Sequence, residues 1–493
     1  LPAGERARAP GVNPLTASPN TETSRADTDD PLVLRANAWC GAEVVGALND
    51  AASLEWGERP EPRPRATRDD RAPLALDLSQ WRDPRVGWGL VVPDRDDCPP
   101  ADKAIGLDLC EPLQTLLRRR APAPVLRWRA DLPEGRLRRY APDGSAADLN
   151  LRGARGTGAL AVPYYLLIAA GPTQIPWRVQ YRLQTEAFVG RLDLERNALA
   201  RYVDALLSDW PRSRVRRSRP LIWATDHGHP DITRLMRKTL AEQLAREFAD
   251  DREHEFEMDG GVLIEREATG ARLIQALIER DPAFVMTSSH GSTSPLDDTA
   301  AMRATLGLPV DQARQRLALG ELARWDAYGT IWYAHACCSA GADGASNFSD
   351  IVAARSTLRE TLDAIARVGA AQAPLPSALL GGARPARAFV GHVEPTFDWT
   401  LRDPITGQRN TESLIDAFYG GLHRTGSWPI GLALHAHFHA ISGLLLDHAD
   451  ALQQIAASIP GARERARRTK LIALDRLALV LLGDPTVRLG DSG

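Results

Sequence analysis

Two short stretches carry residue types able to do covalent chemistry. "TSSHG" (287–291) ends an apolar run in His290 and Gly291, and "AHACCSAG" (334–341) ends another in Cys337 and Cys338. A thiolate attacks a carbonyl carbon, a nearby imidazole takes the thiol proton, and backbone N–H groups hold the developing oxyanion. Glycine after the histidine lets a substrate carbonyl approach the backbone closely. If the two runs are neighbouring strands, imidazole and thiol converge at one edge of a sheet, beyond the strands' carboxyl ends. Successive strand side chains point to opposite faces, so only one of the two thiols faces the histidine unless the strand has already turned.

Other polar clusters compete for attention. "DHGHPD" (226–231) also ends an apolar run and offers His227 and His229, but no thiol is placed to match it. His335 lies two residues before Cys337 and reads as a packing residue. "HAHFHAISGLLLDH" (435–448) puts His435 and His439 on one helical face; without HExxH or CxxC it reads as a buried helix with polar contacts rather than a metal site. "RGARGTG" (152–158) lacks the lysine of a phosphate-binding loop and reads as a turn. No metal and no cofactor is expected.

The elements that must position these residues are legible as alternation. "VGWGLVVPD" (86–94), "VPYYLLIAAG" (162–171), "PLIWATD" (220–226), "AFVMTSS" (283–289), "TIWYAHA" (330–336) and "ARAFVGH" (386–392) read as strands. Between them "ERNALARYVDALLSDW" (195–210), "DITRLMRKTLAEQLAREFAD" (231–250) and "DIVAARSTLRETLDAIARV" (350–368) have helical spacing, with Asp231 as a cap. That order predicts an α/β fold with a mostly parallel sheet sandwiched by helices. The boundaries expected are an irregular N-terminal region over 1–70, a companion α/β subdomain over 71–210, a basic connector "PRSRVRRSRP" over 211–220 and a main domain over 221–493.

Composition narrows the function classes. The 493 residues carry 60 Lys and Arg against 63 Asp and Glu, a balance that points to neither nucleic acid nor anionic membrane. Lysine occurs only at Lys103, Lys238 and Lys470, which reads as base-composition bias. No run reaches the length of a membrane span. Five cysteines without framework spacing suit free thiols in a reducing compartment, and the polar start suits a flexible leader and a cytoplasmic location.

Taken in order, the motifs resemble a known family. "TSSHG" followed by "AHACCSAG" is similar to the His-Gly and Ala-Cys signatures of caspase-fold cysteine peptidases, about fifty residues apart as in a caspase-type site. "YYLLIAAGPTQIP" and "EAFVGRLDLE" within 164–196 resemble the first subdomain of gingipain-type peptidases, and "LLGDPTVRL" (481–489) their closing segment. The resemblance spans about 160–490 and implies a caspase-like catalytic domain over 221–493 that cleaves polypeptides without a metal. It implies Cys337 as nucleophile, since Ala336, Ser339 and Ala340 stand at the family's offsets, while Cys338 fits only a variant with Gly341 three residues on. His290 would shuttle the proton, and the N–H groups of Gly291 and Cys337 would form the oxyanion hole. A basic residue before the cleaved bond would be held by an acid, for which Glu186, Asp297, Asp298 and Asp343 are candidates. Relatives that activate pore-forming partners by limited proteolysis suggest an effector protein as substrate. The rivals are an inert caspase-fold module that binds or regulates, and a metal-dependent hydrolase built on His435 and His439.

Overall fold

A computed structural model describes residues 32–61, 76–403, 405–424 and 427–490. Of the N-terminal stretch expected to be irregular, 1–31 and 62–70 lie outside the described residues. The part between them is regular: β1 (Val33–Trp39) and β2 (Glu43–Ala47) pair antiparallel, and a helix Asp50–Glu58 follows. Leu34, Ala36 and Ala38 are buried at every second position, the pattern of a strand lying on a core.

The first half of the chain contributes β3 (Trp88–Pro93), β4 (Val125–Trp128), β5 (Arg136–Tyr140), β6 (Ala146–Asn150), β7 (Tyr165–Ala169) and β8 (Phe188–Leu192). The second contributes β9 (Leu221–Ala224), β10 (Val262–Ile264), β11 (Phe284–Ser288), β12 (Gly291–Ser292), β13 (Ile331–His335), β14 (Gly341–Ala342), β15 (Ala371–Gln372), β16 (Ala388–His392) and β17 (Leu479–Gly483). Twelve of these form one sheet, in the order β10-β9-β11-β13-β16-β17-β8-β7-β3-β4-β5-β6. It is mostly parallel and flanked by helices; β17 runs antiparallel to β16, and β4, β5 and β6 form an antiparallel edge. β17 pairs in parallel with β8, so the sheet continues from the strands of 71–210 into those of 221–493. The α/β expectation holds.

Both faces of the sheet are covered. Along β3 and β7, Leu90, Val92 and Leu167 join one apolar cluster while Val91, Leu166 and Ile168 join another, as a strand buried on both sides requires. The helical run after β9 matches its expected span and is interrupted by a π turn over Arg237–Ala241. The helix expected over 350–368 begins only at Thr357, where the Ser356 side chain accepts the Arg359 N–H. Residues before it are held by other contacts: Val352 bridges Leu48.

Candidate active site

The register of the central strands sets the level of the candidate residues. β11 and β13 pair in parallel with Ser288 opposite His335, so His290 and Cys337 each stand two residues past the same rung. Contact there is intimate: a Cβ on Gly291 would lie 1.9 Å from the Cys337 carbonyl oxygen, so only glycine fits. β13 ends at His335, and Cys338 takes a left-handed φ of 54°, so the chain has turned before the thiols and strand alternation does not choose between them.

His290 is buried and oriented. Its Nε2 lies 2.9 Å from Asp231 Oδ2, while its Nδ1 is buried with no hydrogen-bond partner. Asp231 also accepts the Thr233 N–H at 2.8 Å and its hydroxyl at 2.5 Å. Burial works against the charge, but His290 and Thr233 together hold the Asp231 carboxyl well below the usual carboxylate range. The expected cap role of Asp231 is present, and the bond to His290 is a second role that the sequence did not reveal. It depends on β9 lying beside β11.

His227 stacks on His290 with ring centroids 5.5 Å apart, and Trp39 of β1 lies 5.7 Å from the His290 ring. The His227 Nε2 approaches the Asp311 carbonyl oxygen at 3.0 Å, and burial pushes its pKa down. His227, Asp231 and His290 bring one ligand atom each within 4.8 Å of one another, a donor set that a divalent cation accepts. A cation there would occupy His290 and remove it as a base.

Both thiols are fully buried. Cys337 Sγ accepts the Thr396 N–H at 3.1 Å, and among the described residues no hydrogen bond joins His290 to either cysteine. Burial first, then the neighbouring Cys338, pushes the Cys337 thiol well up; burial and Glu394 do the same to Cys338. All five cysteines are free.

β1 lies across this level. Ala38 and Trp39 pair in parallel with Gly291 and Ser292, so β12 extends the His-Gly turn into a ladder with β1. The Asn37 carbonyl accepts the Cys337 N–H at 3.4 Å, its own N–H donates to the Thr396 carbonyl at 2.9 Å, and its side-chain amide donates to the His335 carbonyl at 3.2 Å. The Cys337 N–H expected in an oxyanion hole is therefore engaged.

The acids expected in a specificity pocket have different surroundings. Glu186 gives its carboxylate to Arg152 at 2.5 Å. Asp297 is exposed, and Asp298 caps the helix Thr299–Thr305 by accepting the Ala300 and Ala301 N–H groups. Asp343 is half-buried and acts electrostatically on Glu394, which burial pushes up to about 7 despite hydrogen bonds from Ser346 at 2.7 Å and Asn347 at 3.2 Å. Glu394 was not singled out from the sequence; its N–H···O neighbour is Cys338, which donates to the Glu394 carbonyl at 3.3 Å. His435 and His439 lie on the helix His435–Ala456 with rings 5.7 Å apart, and they belong to no metal-binding group among the described residues.

No family model matches the chain, and no curated protein matches it. Among solved structures, the Saccharomyces cerevisiae separase–securin complex contains a chain that superposes with a TM-score of 0.32 at 9% identity, covering 70% of this chain and 16% of that one. The present chain thus spans about a sixth of that chain's length, and a likeness at that level carries no argument about function. Among the described residues no helix is long and apolar enough to cross a membrane.

Proposed function

We propose that the chain is a caspase-fold cysteine endopeptidase seen in a closed state. Cys337 is the nucleophile, His290 the general base and acid, and Asp231 the residue that orients His290. The thiolate adds to the peptide carbonyl, and the N–H groups of Gly291 and Cys337 receive the oxyanion. The C–N bond then breaks as His290 returns the proton to the leaving amine, and water, deprotonated by His290, hydrolyses the thioester. One observation carries the reading: an imidazole with one nitrogen on a carboxylate and the other unpartnered stands level with a thiol in the turn that ends the adjacent strand. Such an imidazole is fixed in orientation and has one nitrogen left for proton transfer. The substrate class is polypeptide.

A specific observation favours the rival, an inert binding module on the same fold. The Cys337 thiol is buried, its pKa is raised, and it faces the Thr396 N–H. Mass-spectrometric mapping of peptidyl acyloxymethyl ketones bearing Arg, Lys or Asp separates the two. Labelling of Cys337 that vanishes in His290→Ala supports the peptidase; labelling of Cys338 moves the nucleophile; selective labelling of neither, with β1 displaced as well as native, favours the inert module.

A further inference from the structure

At the end of the sheet opposite the candidate site the protein carries a basic cavity. β16 connects the two: Arg387, which precedes it, lines the cavity, and the loop that follows it holds Thr396 against Cys337. Five residues of strand put them on the order of 15–20 Å apart. The cavity holds about 1050 Å³; eight of its lining residues are arginines and one, Asp209, is acidic. In a chain with a net charge of −3 this is local concentration, not a general basicity.

Four of the guanidinium groups are positioned by neighbours. Arg82 and Arg120 both stack on Trp81, at 4.3 and 4.5 Å from the ring. Arg120 is fixed further by Asp484 at 3.0 Å and Thr486 at 3.0 Å, and Arg387 by Asp209 at 2.6 Å and by the Trp210 ring at 4.5 Å. Arg488 donates to the Ser427 and Ser79 carbonyls, and among the described residues it forms no salt bridge with a carboxylate. Among the described residues Arg82, Arg119 and Arg212 form no salt bridge with a carboxylate. Like charges gathered this way repel one another, and the repulsion is relieved when a multiply charged anion enters.

The rim is strained as well. Asp209, Trp210 and Arg212 have φ of 56°, 48° and 60°, all left-handed and none glycine. Asp209 is an ordinary left-handed helix stop. Trp210 follows it directly and Arg212 stands in the basic segment 211–220 that the candidate site does not use; together they mark a loop held in shape.

We infer that this cavity is a binding site for a small polyphosphate, either free or as the phosphate chain of a nucleoside polyphosphate. Planar guanidinium forks match phosphate oxygens in pairs, and a cavity of this volume suits a molecule of that size rather than a polymer. The indole faces are already covered by arginines, so no platform remains for stacked bases of a single-stranded nucleic acid. The site's readout is binding, and it stands independently of the peptidase reading.

Isothermal titration of the full chain at roughly 0.15 M ionic strength tests it with tripolyphosphate, ATP, orthophosphate and adenosine. Tripolyphosphate or ATP is expected to saturate a single site, with orthophosphate weaker by about a hundredfold or more and adenosine silent. ATP binding about tenfold tighter than tripolyphosphate assigns a nucleoside-borne chain; equal affinity assigns the bare polyphosphate. The double variant Arg82→Glu/Arg212→Glu, both sites being exposed, is expected to lose about a hundredfold or more. Arg119→Glu provides a second variant should the double one misfold, and Arg252→Glu, an exposed arginine outside the cavity, serves as the unchanged control. No saturable binding up to about 1 mM, or equal affinity in the cavity variants, overturns the inference. So does binding of single-stranded RNA that tripolyphosphate fails to displace.

Discussion

Asp475 is fully buried on the helix Ala462–Leu477, and its Oδ2 accepts the Phe397 N–H at 3.1 Å. That bond holds the loop whose preceding residue, Thr396, donates to Cys337. Burial pushes the Asp475 carboxyl up to about 8 from an ordinary 3.8, and Glu394 and Asp398 nearby push it the same way. The unfolded chain ionises Asp475 near the ordinary value, whereas the folded chain keeps its proton until pH 8. Between those values the folded state binds more protons, so stability falls as pH rises through the window and levels off above it. At about 1.4 kcal/mol per pH unit, the loss between pH 5 and 8 has a ceiling of about 4 kcal/mol; relaxation around a buried charge brings it to about 2 kcal/mol. Asp475→Asn keeps the shape and the acceptor for Phe397 but has no proton to lose. Urea unfolding of both proteins at pH 5 and pH 8 is therefore expected to show the variant gaining on the native chain by about 2 kcal/mol over that interval. A stability difference that is the same at both pH values refutes the reasoning, because no titrating group would then separate the two proteins.

Gly291→Ala places a methyl 1.9 Å from the Cys337 carbonyl oxygen, where backbone must move, and is expected to cost about 3 kcal/mol or more by chemical denaturation; a loss under about 1 kcal/mol would mean the two turns are not pressed together. Asp484→Ala strands the buried Arg120 guanidinium and also removes the acceptor of the Trp88 indole N–H, so a loss of about 3–5 kcal/mol is expected in the same assay. Asn37→Pro removes the N–H that donates to Thr396 and is expected to raise the iodoacetamide labelling rate of Cys337 about tenfold or more under native conditions; an unchanged rate with the fold intact would show that β1 does not limit access to the thiol.

How much of this was legible depends on the range of the interaction. Apolar runs ended by turn residues gave β9, β11, β13 and β16 close to their observed spans, because a strand buried on both faces is written locally. The common level of His290 and Cys337 followed from adjacency of two such runs, so it too was within reach. β1 was not, although Leu34, Ala36 and Ala38 alternate. Seven residues in a polar surrounding give a weak signal, and its partners, Gly291, Ser292, Thr396 and Cys337, lie far away in the chain. Asp231 shows the same division within one side chain: its cap to Thr233 is local and was expected, and its bond to His290, 59 residues on, was not. The segment 211–220 read as no more than a basic connector because the other walls of its cavity come from residues such as Arg82, Arg119 and Arg387.

The closed geometry has a chemical consequence for the peptidase reading. A thiol in an apolar surrounding ionises only if its proton has a base to go to, and Cys337 accepts the Thr396 N–H and donates weakly, at 3.9 Å, to the Thr396 carbonyl oxygen rather than to the unpartnered Nδ1 of His290. Turning the thiol toward the imidazole requires the 393–397 loop and β1 to release it. Both are tied through Asn37, whose N–H holds Thr396, whose carbonyl holds the Cys337 N–H, and whose side chain holds the end of β13. Departure of that one residue frees an oxyanion donor and loosens the contact that orients the thiol. The imidazole needs no such change, since Asp231 already fixes it. On this reading the base is preorganised and the nucleophile is withheld, so the strand that covers the site is the part on which control of activity acts.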